Sequence, residues 1–374
     1  MHDRGGYYKK EMIIHKKLTT FNSGGVNRSS NFELLRILMM LSLISHHFIV
    51  NSGITDLYNM SDISANMIFA QIFGMWGKTA INIFTLITGY FMVRSDLTVK
   101  KIFKLITTAI FYVYGFYFFF LIIGYETFSI KAMVKVILFI PLEAGKLYTG
   151  SMIMMLLFIP FVNILIRGLS KRKFQQLLML LLFYFSALST FLRNDNFDFV
   201  FWMLTVYMIG GYIRLYPGKW DNKKTGLLST IISILTMVSS IICIDFIGVK
   251  IGFEEYYYFL QDANKILAVM AAFSIFILFK NLNMKNYNWI NRVASATFGV
   301  LLFHANTAVM RRFLWVDVFR NAEYYMKKDF ILYACSVVVL VYVIAVVIEL
   351  LRIRFVEQPL LNYLGQFDWF SKRF

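Results

Sequence analysis

Long apolar runs recur along the chain and are separated by short polar and basic segments. A helix needs about 20 mostly apolar residues to cross the hydrocarbon core of a bilayer, and runs of this kind predict about ten transmembrane helices. We place them near residues 32–50, 76–93, 103–124, 149–166, 175–192, 198–215, 226–248, 263–280, 293–310 and 330–351. The pattern therefore predicts an all-α, polytopic integral membrane protein.

Some segments stand apart from these runs. Residues 1–31 are polar and basic and lack the apolar centre of a signal peptide, so we expect a flexible cytoplasmic tail. Residues 32–363 would form one membrane domain, and residues 364–374 a short cytoplasmic tail. The stretch 134–143 is apolar but too short to span, which predicts an interfacial or re-entrant segment.

Composition supports the same class of protein. Hydrophobic residues make up 59% of the chain and charged residues 16%, whereas a soluble domain has about 25% charged residues. The two cysteines, Cys243 and Cys335, both lie in apolar runs. With only two cysteines, each in an apolar run, the sequence excludes a disulfide framework and a cysteine-based metal centre.

The formal net charge of +17 is informative through its distribution. With the N-terminus inside, about 25 of the 38 lysines and arginines lie on the cytoplasmic side and about 10 on the outer side. Basic residues gather on the cytoplasmic side of membrane proteins, so both termini are predicted to be cytoplasmic in a plasma-membrane protein. About half of the outer set lies in the loop 311–329, where acidic residues partly offset it. The charge therefore does not indicate a nucleic-acid partner.

The first run carries Arg36 and His47 on one helical face. They are 11 residues apart, a spacing that returns an α-helix to the same face about 16 Å further along. Met40 and Leu43 lie between them on this stripe, while His46 points about 90° away. Two interpretations stay open. These groups line a polar site, or Arg36 reaches the lipid headgroups and His47 lies at the interface.

Other helices bring polar residues to the same half of the membrane as His47. The second run carries Lys78 and Asn82 one turn apart, and the ninth run carries His304. Ionisable side chains from three helices at similar depth indicate a polar cavity. Because histidine accepts a proton near neutral pH, His47 is the candidate general base.

A cationic cluster follows the second run on the cytoplasmic side. It consists of Arg94, Lys100, Lys101 and Lys104. Such residues orient membrane proteins, but lysine also binds phosphate as a point charge, and both interpretations stay open. The sequence contains no glycine-rich phosphate loop, HExxH pair or GxSxG motif.

Several segments occur in an order typical of one family. Arg36, followed after ten residues by His47, opens the first span, and Glu357 belongs to the closing segment RFVEQP. Between them stand INIFTLITGYFMV (81–93), IPFVN (159–163), MIGGYIRLY (208–216) and INRVASATFGVLLFH (290–304). From Asn31 to about Tyr363 the chain resembles integral-membrane acyltransferase family 3.

Some positions depart from the family's pattern. Thr88 stands where serine is commoner, Leu301 replaces the usual tyrosine, and Gln358 replaces the basic residue of the closing motif. The family's paired arginines at the start of the third span correspond at best to Lys101 and Lys104. Simple charge attraction would then replace a bidentate grip on phosphate.

The resemblance implies an enzyme that moves an acyl group, most simply acetyl, from acyl-CoA to a hydroxyl of a surface polysaccharide or its lipid-linked precursor. His47 would remove the hydroxyl proton or accept the acyl group itself, and Arg36 would steer the donor or stabilise developing negative charge. The donor would be held by Lys101, Lys104, Lys100 and Arg94. The acceptor-binding or supporting residues would be His304, Lys78, Asn82 and Glu357.

Acyl-CoA would then be a co-substrate, with no tightly bound cofactor and no metal. The expected partners are a carbohydrate or lipid-linked sugar and the lipid bilayer, while the oligomeric state stays open. Two other functions also fit a many-span protein: a flippase or other transporter of lipid-linked oligosaccharides, and a glycan polymerase. The order of the family segments and the absence of a large extracytoplasmic loop favour the acyltransferase.

Overall fold

The computed structural model describes residues 29–138, 144–145, 147–193, 197–253 and 255–373. Within these ranges the chain is helical apart from turns, loops and an isolated bridge between Thr98 and Arg373, so the all-α prediction is confirmed. The predicted tail 1–31 lies almost entirely outside the described residues. The predicted segment 134–143 begins within a short helix, and its residues 139–143 lie outside the described part.

The helices differ widely in length, and short ones cluster in the last third of the chain. In order they are α1 Ser30–Val50, α2 Ala65–Gly74, α3 Gly77–Met92, α4 Val99–Ile122, α5 Ile130–Ile137, α6 Tyr148–Gly168, α7 Lys171–Phe191, α8 Phe199–Leu215, α9 Lys223–Gly248, α10 Ile266–Lys280, α11 Asn288–Ala294, α12 Thr297–Ala305, α13 Ala308–Arg312, α14 Asn321–Tyr324, α15 Phe330–Arg352 and α16 Gln358–Leu364.

Several of these helices are long and apolar enough to cross a membrane. Among the described residues, 6 qualify: α1, α4, α6, α7, α9 and the continuous helix Phe330–Leu364. The number rises to 7 if the bent pair Asn288–Ala305 and Ala308–Tyr324 is one span. Helices α8 and α10 are apolar but shorter, and α3 has 16 residues. The count of ten spans and the cytoplasmic termini stay predictions.

The predicted span 293–310 is not one continuous helix. Helix α11 ends at Ala294 and α12 ends at Ala305, after which the chain bends by 83°. The side chain of Thr307 accepts the backbone N–H of Met310 and caps the new helix α13, which explains the break. The residues after this bend turn back against the bundle.

Helix α1 lies at the centre of the bundle. In the most apolar 18-residue stretch of α1, 56% of the residues are buried, whereas the corresponding share for α4 is 22%. It packs against α2, α3, α10, α11, α12 and α15. Its apolar side chains Leu35, Ile44 and Phe48 are fully buried. Most of its side chains therefore face neighbouring helices or the cavities between them.

Helices α3 and α8 approach each other at two glycines. A Cβ atom at Gly89 would lie 2.1 Å from the carbonyl oxygen of Tyr207, and one at Gly210 would lie 2.4 Å from that of Leu86. Small residues allow such close backbone contact between membrane helices. The segments INIFTLITGYFMV and MIGGYIRLY, noted in the sequence, therefore form one helix–helix interface.

The C-terminal segment returns to the start of α4. Arg373 pairs with Asp96 at 2.9 Å, and Phe370 is buried against Phe103, with ring centroids 5.5 Å apart. In its described part, the predicted tail 364–374 therefore packs on the bundle beside the first turn of α4.

Candidate functional site

A cavity of about 450 Å³ lies between α1, α3, α4, α6 and the α11–α12 segment. We call it the Arg36 cavity. Its wall contains Arg36 from α1 and both Lys101 and Lys104 from the first turns of α4, and the remaining lining is mostly apolar. Cations in a largely apolar wall interact with an anion more strongly than they would in water. The cavity therefore suits a negatively charged ligand.

Each of these three cations has a partner in the structure. Arg36 Nη1 lies 3.0 Å from the carboxylate of Glu33, and Lys104 Nζ lies 2.6 Å from that of Glu357. Lys101 Nζ donates to a backbone carbonyl oxygen at 2.8 Å. These contacts hold the three side chains at the cavity wall. A bound anion would interact with the three cations in addition to their present partners.

Glu357 belongs to a buried charge network. Arg352 donates to Glu349 at 2.7 Å and to Glu357 at 2.5 Å, and Tyr112 donates to Glu349 at 2.8 Å. Buried charges require such partners, and removing one leaves the others uncompensated. Because Glu357 also pairs with Lys104, it supports the Arg36 cavity. Of the two roles expected for Glu357, acceptor-binding or supporting, its contacts with Lys104 and Arg352 fit the supporting role.

A second cavity, of about 250 Å³, lies further along α1. We call it the His47 cavity. His47, Lys78 and Arg311 line it, together with Asn306. Lys78 Nζ lies 3.8 Å from a carboxylate oxygen of Asp262 in the loop before α10. The cavity thus combines an imidazole with polar and cationic groups that can contact hydroxyls or an anion.

The two cavities share two wall residues, Tyr148 of α6 and Leu301 of α12. Along α1, Met40 lines the Arg36 cavity and Leu43 lines the His47 cavity, so the stripe predicted from the sequence runs past both. A partition of two side chains therefore separates the cationic cavity from the histidine.

His304 lies against His47, with ring centroids 5.1 Å apart. Its Nδ1 lies 2.6 Å from the carbonyl oxygen of Val300. Because a carbonyl oxygen can only accept, we assign the proton to Nδ1, which leaves a lone pair on Nε2. His304 Nε2 and His47 Nδ1 are both buried without a hydrogen-bond partner among the described residues. If His47 Nδ1–H donates to His304 Nε2, His47 Nε2 is left as the basic atom.

His46 has a different environment from its neighbour. Its Nδ1 lies 2.6 Å from the carbonyl oxygen of Gly74. Its ring packs on Gly77, where an added Cβ would come within 2.3 Å of ring carbon. His46 is outside the lining of the His47 cavity. Its contacts join α1 to the junction of α2 and α3.

Asn82 lies away from the His47 cavity lining. Its Nδ2 donates to the carbonyl oxygen of Ala263 at 2.6 Å, and its Oδ1 accepts from Trp202 Nε1 at 3.0 Å. Both functions of the amide are therefore used to hold α3, α8 and the segment before α10 together. Arg94 and Lys100 are exposed and lie outside the lining of the Arg36 cavity.

The sequence did not single out several lining residues, Arg311 and Tyr148 among them. The sequence assigns Arg311 to an outer loop, whereas the bend after Ala305 brings it into the His47 cavity. The pair Asn306–Thr307, a polar break followed by a helix cap, was the available signal. Tyr148 stood at the edge of a span, and nothing in its sequence context distinguishes it from an interfacial tyrosine.

The chain was compared with known families and proteins. Residues 29–350 match a family model described as an acyltransferase domain, that of acyltransferase family 3. The match covers both cavities, α1 with Arg36 and His47, and Glu349 of the buried network. Neither a curated protein nor a solved structure matches the chain.

Proposed function

Because the chain belongs to acyltransferase family 3, we propose that it transfers an acyl group, most simply acetyl, from acyl-CoA to a hydroxyl of a cell-surface polysaccharide or its lipid-linked precursor. One observation carries this proposal: a cationic cavity and a histidine cavity meet at a partition formed by Tyr148 and Leu301. The first cavity suits a charged donor, and the second suits an acceptor that brings a hydroxyl to His47.

The Arg36 cavity would hold the donor. In the predicted orientation it opens toward the cytoplasm, where acyl-CoA is made. The ammonium groups of Lys101 and Lys104 would attract the CoA phosphates, and Arg36 would orient the donor further along the cavity. The roughly 16 Å between Arg36 and His47 is comparable to the length of an extended pantetheine arm. The thioester would then pass the partition and reach His47.

The His47 cavity would hold the acceptor hydroxyl. His47 Nε2 would take the hydroxyl proton while the oxygen attacks the thioester carbonyl. The tetrahedral intermediate then collapses, the C–S bond breaks, and the proton passes from the imidazolium to the CoA thiolate. In the alternative route His47 Nε2 attacks the thioester carbonyl, and the C–S bond breaks to release the CoA thiolate. The hydroxyl then attacks the acyl-imidazole, the C–N bond breaks, and the hydroxyl proton passes to the thiolate. Lys78 would contact the acceptor in either route.

The direct test is acetyl transfer by the purified protein in lipid nanodiscs. Radiolabelled acetyl-CoA should be consumed, with label appearing on a saccharide acceptor or, without acceptor, as slowly released acetate. A flippase or a polymerase should leave acetyl-CoA intact. Absence of acetyl-CoA binding and turnover in well-folded protein would refute the proposed function.

Neutralising the two cavity lysines should affect donor binding more than turnover. In the variant Lys101→Gln/Lys104→Gln, the KM for acetyl-CoA should rise about 3- to 10-fold, because each partly exposed ion pair contributes up to about 1 kcal/mol. The dependence of KM on salt should weaken. Lys100→Gln is the matched control, since Lys100 is equally charged, on the same helix and outside the cavity. If the KM equals that of the control, the two lysines do not bind the donor and only help to orient the protein in the membrane.

His304 should act as a positioning residue for His47. His304→Phe fills the same space but removes the lone pair that would accept from His47 Nδ1, so kcat should fall roughly tenfold, the equivalent of one hydrogen bond. The KM for acetyl-CoA should not change. His304→Gln, which retains an acceptor, should recover part of kcat. An equal loss in both variants, or a change confined to KM, would contradict this role.

A further inference from the structure

A third cavity, of about 410 Å³, lies on the surface of the bundle. We call it the phenylalanine groove. It runs between α4, the α12–α13 bend and α15, and its lining is apolar apart from the hydroxyl of Tyr112. Phe111 and Phe119 on one side and Ile348 on the other are exposed, so the groove faces the hydrocarbon of the bilayer. An exposed apolar groove of this volume suits a hydrocarbon chain.

The phenylalanine groove and the His47 cavity lie on two sides of one wall. In α12, Phe303 lines the groove, while Leu302 and Ala305 line the His47 cavity. After the bend, Met310 lines the groove and Arg311 lines the cavity. The break at residues 306–307 therefore lies between the groove and the cavity.

Two arginines, Arg311 and Arg312, lie a few residues after this break. Arg311 faces the His47 cavity. Arg312 is exposed, and the next residue, Phe313, lines the groove. With Arg311 and Arg312 included, the loop 311–329 carries about half of the basic residues that the sequence places on the outer side, and its acidic residues offset them only in part. Positive charge beside an apolar groove complements an anionic lipid headgroup.

We propose that the phenylalanine groove binds the isoprenoid chain of a phosphate-linked saccharide, with its phosphates near Arg311 and Arg312 and its sugar in the His47 cavity. This inference rests on the proposed function and narrows its acceptor to the lipid-linked precursor. A lipid anchored in the groove would deliver a sugar hydroxyl to His47 from within the membrane. The lipid anchor would also lower the entropy cost of bringing the hydroxyl to the thioester.

Gly115 permits a test with little risk to the fold. It lines the groove from α4, and a Cβ atom added there meets no atom within 4 Å. Leucine at this position fills the groove and also favours the helix. Gly168→Leu is the matched control, because Gly168 also lies in a membrane helix, has no atom within 4 Å of an added Cβ, and is outside the groove. Ile348→Trp narrows the groove from its other side and serves as the second variant.

The probe is a long-chain polyprenyl diphosphate, measured by native mass spectrometry of nanodisc-embedded protein. Gly115→Leu and Ile348→Trp should weaken its retention at least about tenfold, the loss expected when a buried apolar contact is blocked, and Gly168→Leu should not. Arg312→Gln should reduce the preference for the diphosphate over the uncharged polyprenol. Equal retention in the groove variants and the control would overturn the proposal. So would equally strong displacement by phosphatidylglycerol, which would identify an ordinary lipid site.

Acetyl-CoA turnover without acceptor separates this proposal from the proposed function. Groove variants should consume acetyl-CoA at the wild-type rate while failing to acetylate a lipid-linked saccharide. If wild-type protein binds polyprenyl diphosphate but never consumes acetyl-CoA, the proposed function fails. The groove then binds the lipid for a purpose other than acetyl transfer from acetyl-CoA. If it consumes acetyl-CoA and the groove variants retain the probe fully, the acceptor proposal alone fails.

Discussion

Replacing His47 with alanine should lower acyl transfer by about 10²- to 10⁴-fold, the usual contribution of a general base. His46→Ala should retain most of the activity. The two side chains are adjacent and chemically identical, and they differ in their surroundings. His47 lines a cavity, whereas His46 rests on Gly77 and contacts the carbonyl of Gly74. Transfer of labelled acetyl, at equal abundance of both variants, measures the difference.

Thermal stability provides the control for this comparison. His46→Ala removes contacts that join α1 to α2 and α3, so its melting temperature should fall more than that of His47→Ala. The less stable variant would then be the more active one, a pattern that a folding defect cannot produce. Equal activity of the two variants at equal abundance would remove His47 from the chemical step.

Trapping experiments distinguish the two routes at His47. If the acyl group binds His47, a rapid quench without acceptor should leave labelled acetyl on wild-type protein and none on His47→Ala. If His47 is a base, the quenched protein carries no label while transfer still requires the residue. Either result retains the role of His47 and decides its chemistry.

The sequence predicts well what depends on one helix. The 3.6-residue period of α1 places Arg36, Met40, Leu43 and His47 along one stripe, and all four line one or other of the two cavities. Periodicity within α1 carries no information on which distant helices face that stripe. The partition formed by Tyr148 and Leu301 therefore appears only when α6 and α12 are packed against α1.

Asn82 and Arg311 show why depth in the membrane is a weaker guide than packing. Asn82 lies one turn from Lys78, yet Ala263 and Trp202 use both functions of its amide. Arg311 lies beyond the predicted end of a span, yet the bend after Ala305 returns it to the His47 cavity. Both outcomes depend on contacts between residues far apart in sequence, which hydropathy does not encode.

The charge of Arg36 alone does not account for its surroundings. Arg36 lines the cationic cavity and pairs with Glu33 one turn earlier on α1. If its function were to anchor α1 at the headgroups, any cation of similar length would serve. If it orients the donor, the planar guanidinium must contact the donor and Glu33 together, which an ammonium group cannot do with the same geometry.

Arg36→Lys should therefore lower kcat/KM by about 10- to 100-fold, the loss of one charged hydrogen bond of about 1.5–3 kcal/mol. Arg36→Ala should lose more. The lysine variant retains the positive charge and the pairing with Glu33, so it should insert normally. Arg214→Lys is the matched control, because Arg214 lies in the last turn of the apolar helix α8, donates to Tyr90 at 2.8 Å and lines neither cavity. Arg214→Lys should retain wild-type activity. If Arg36→Lys does so too, Arg36 is only a headgroup anchor. His47 would then have no donor-orienting partner on α1.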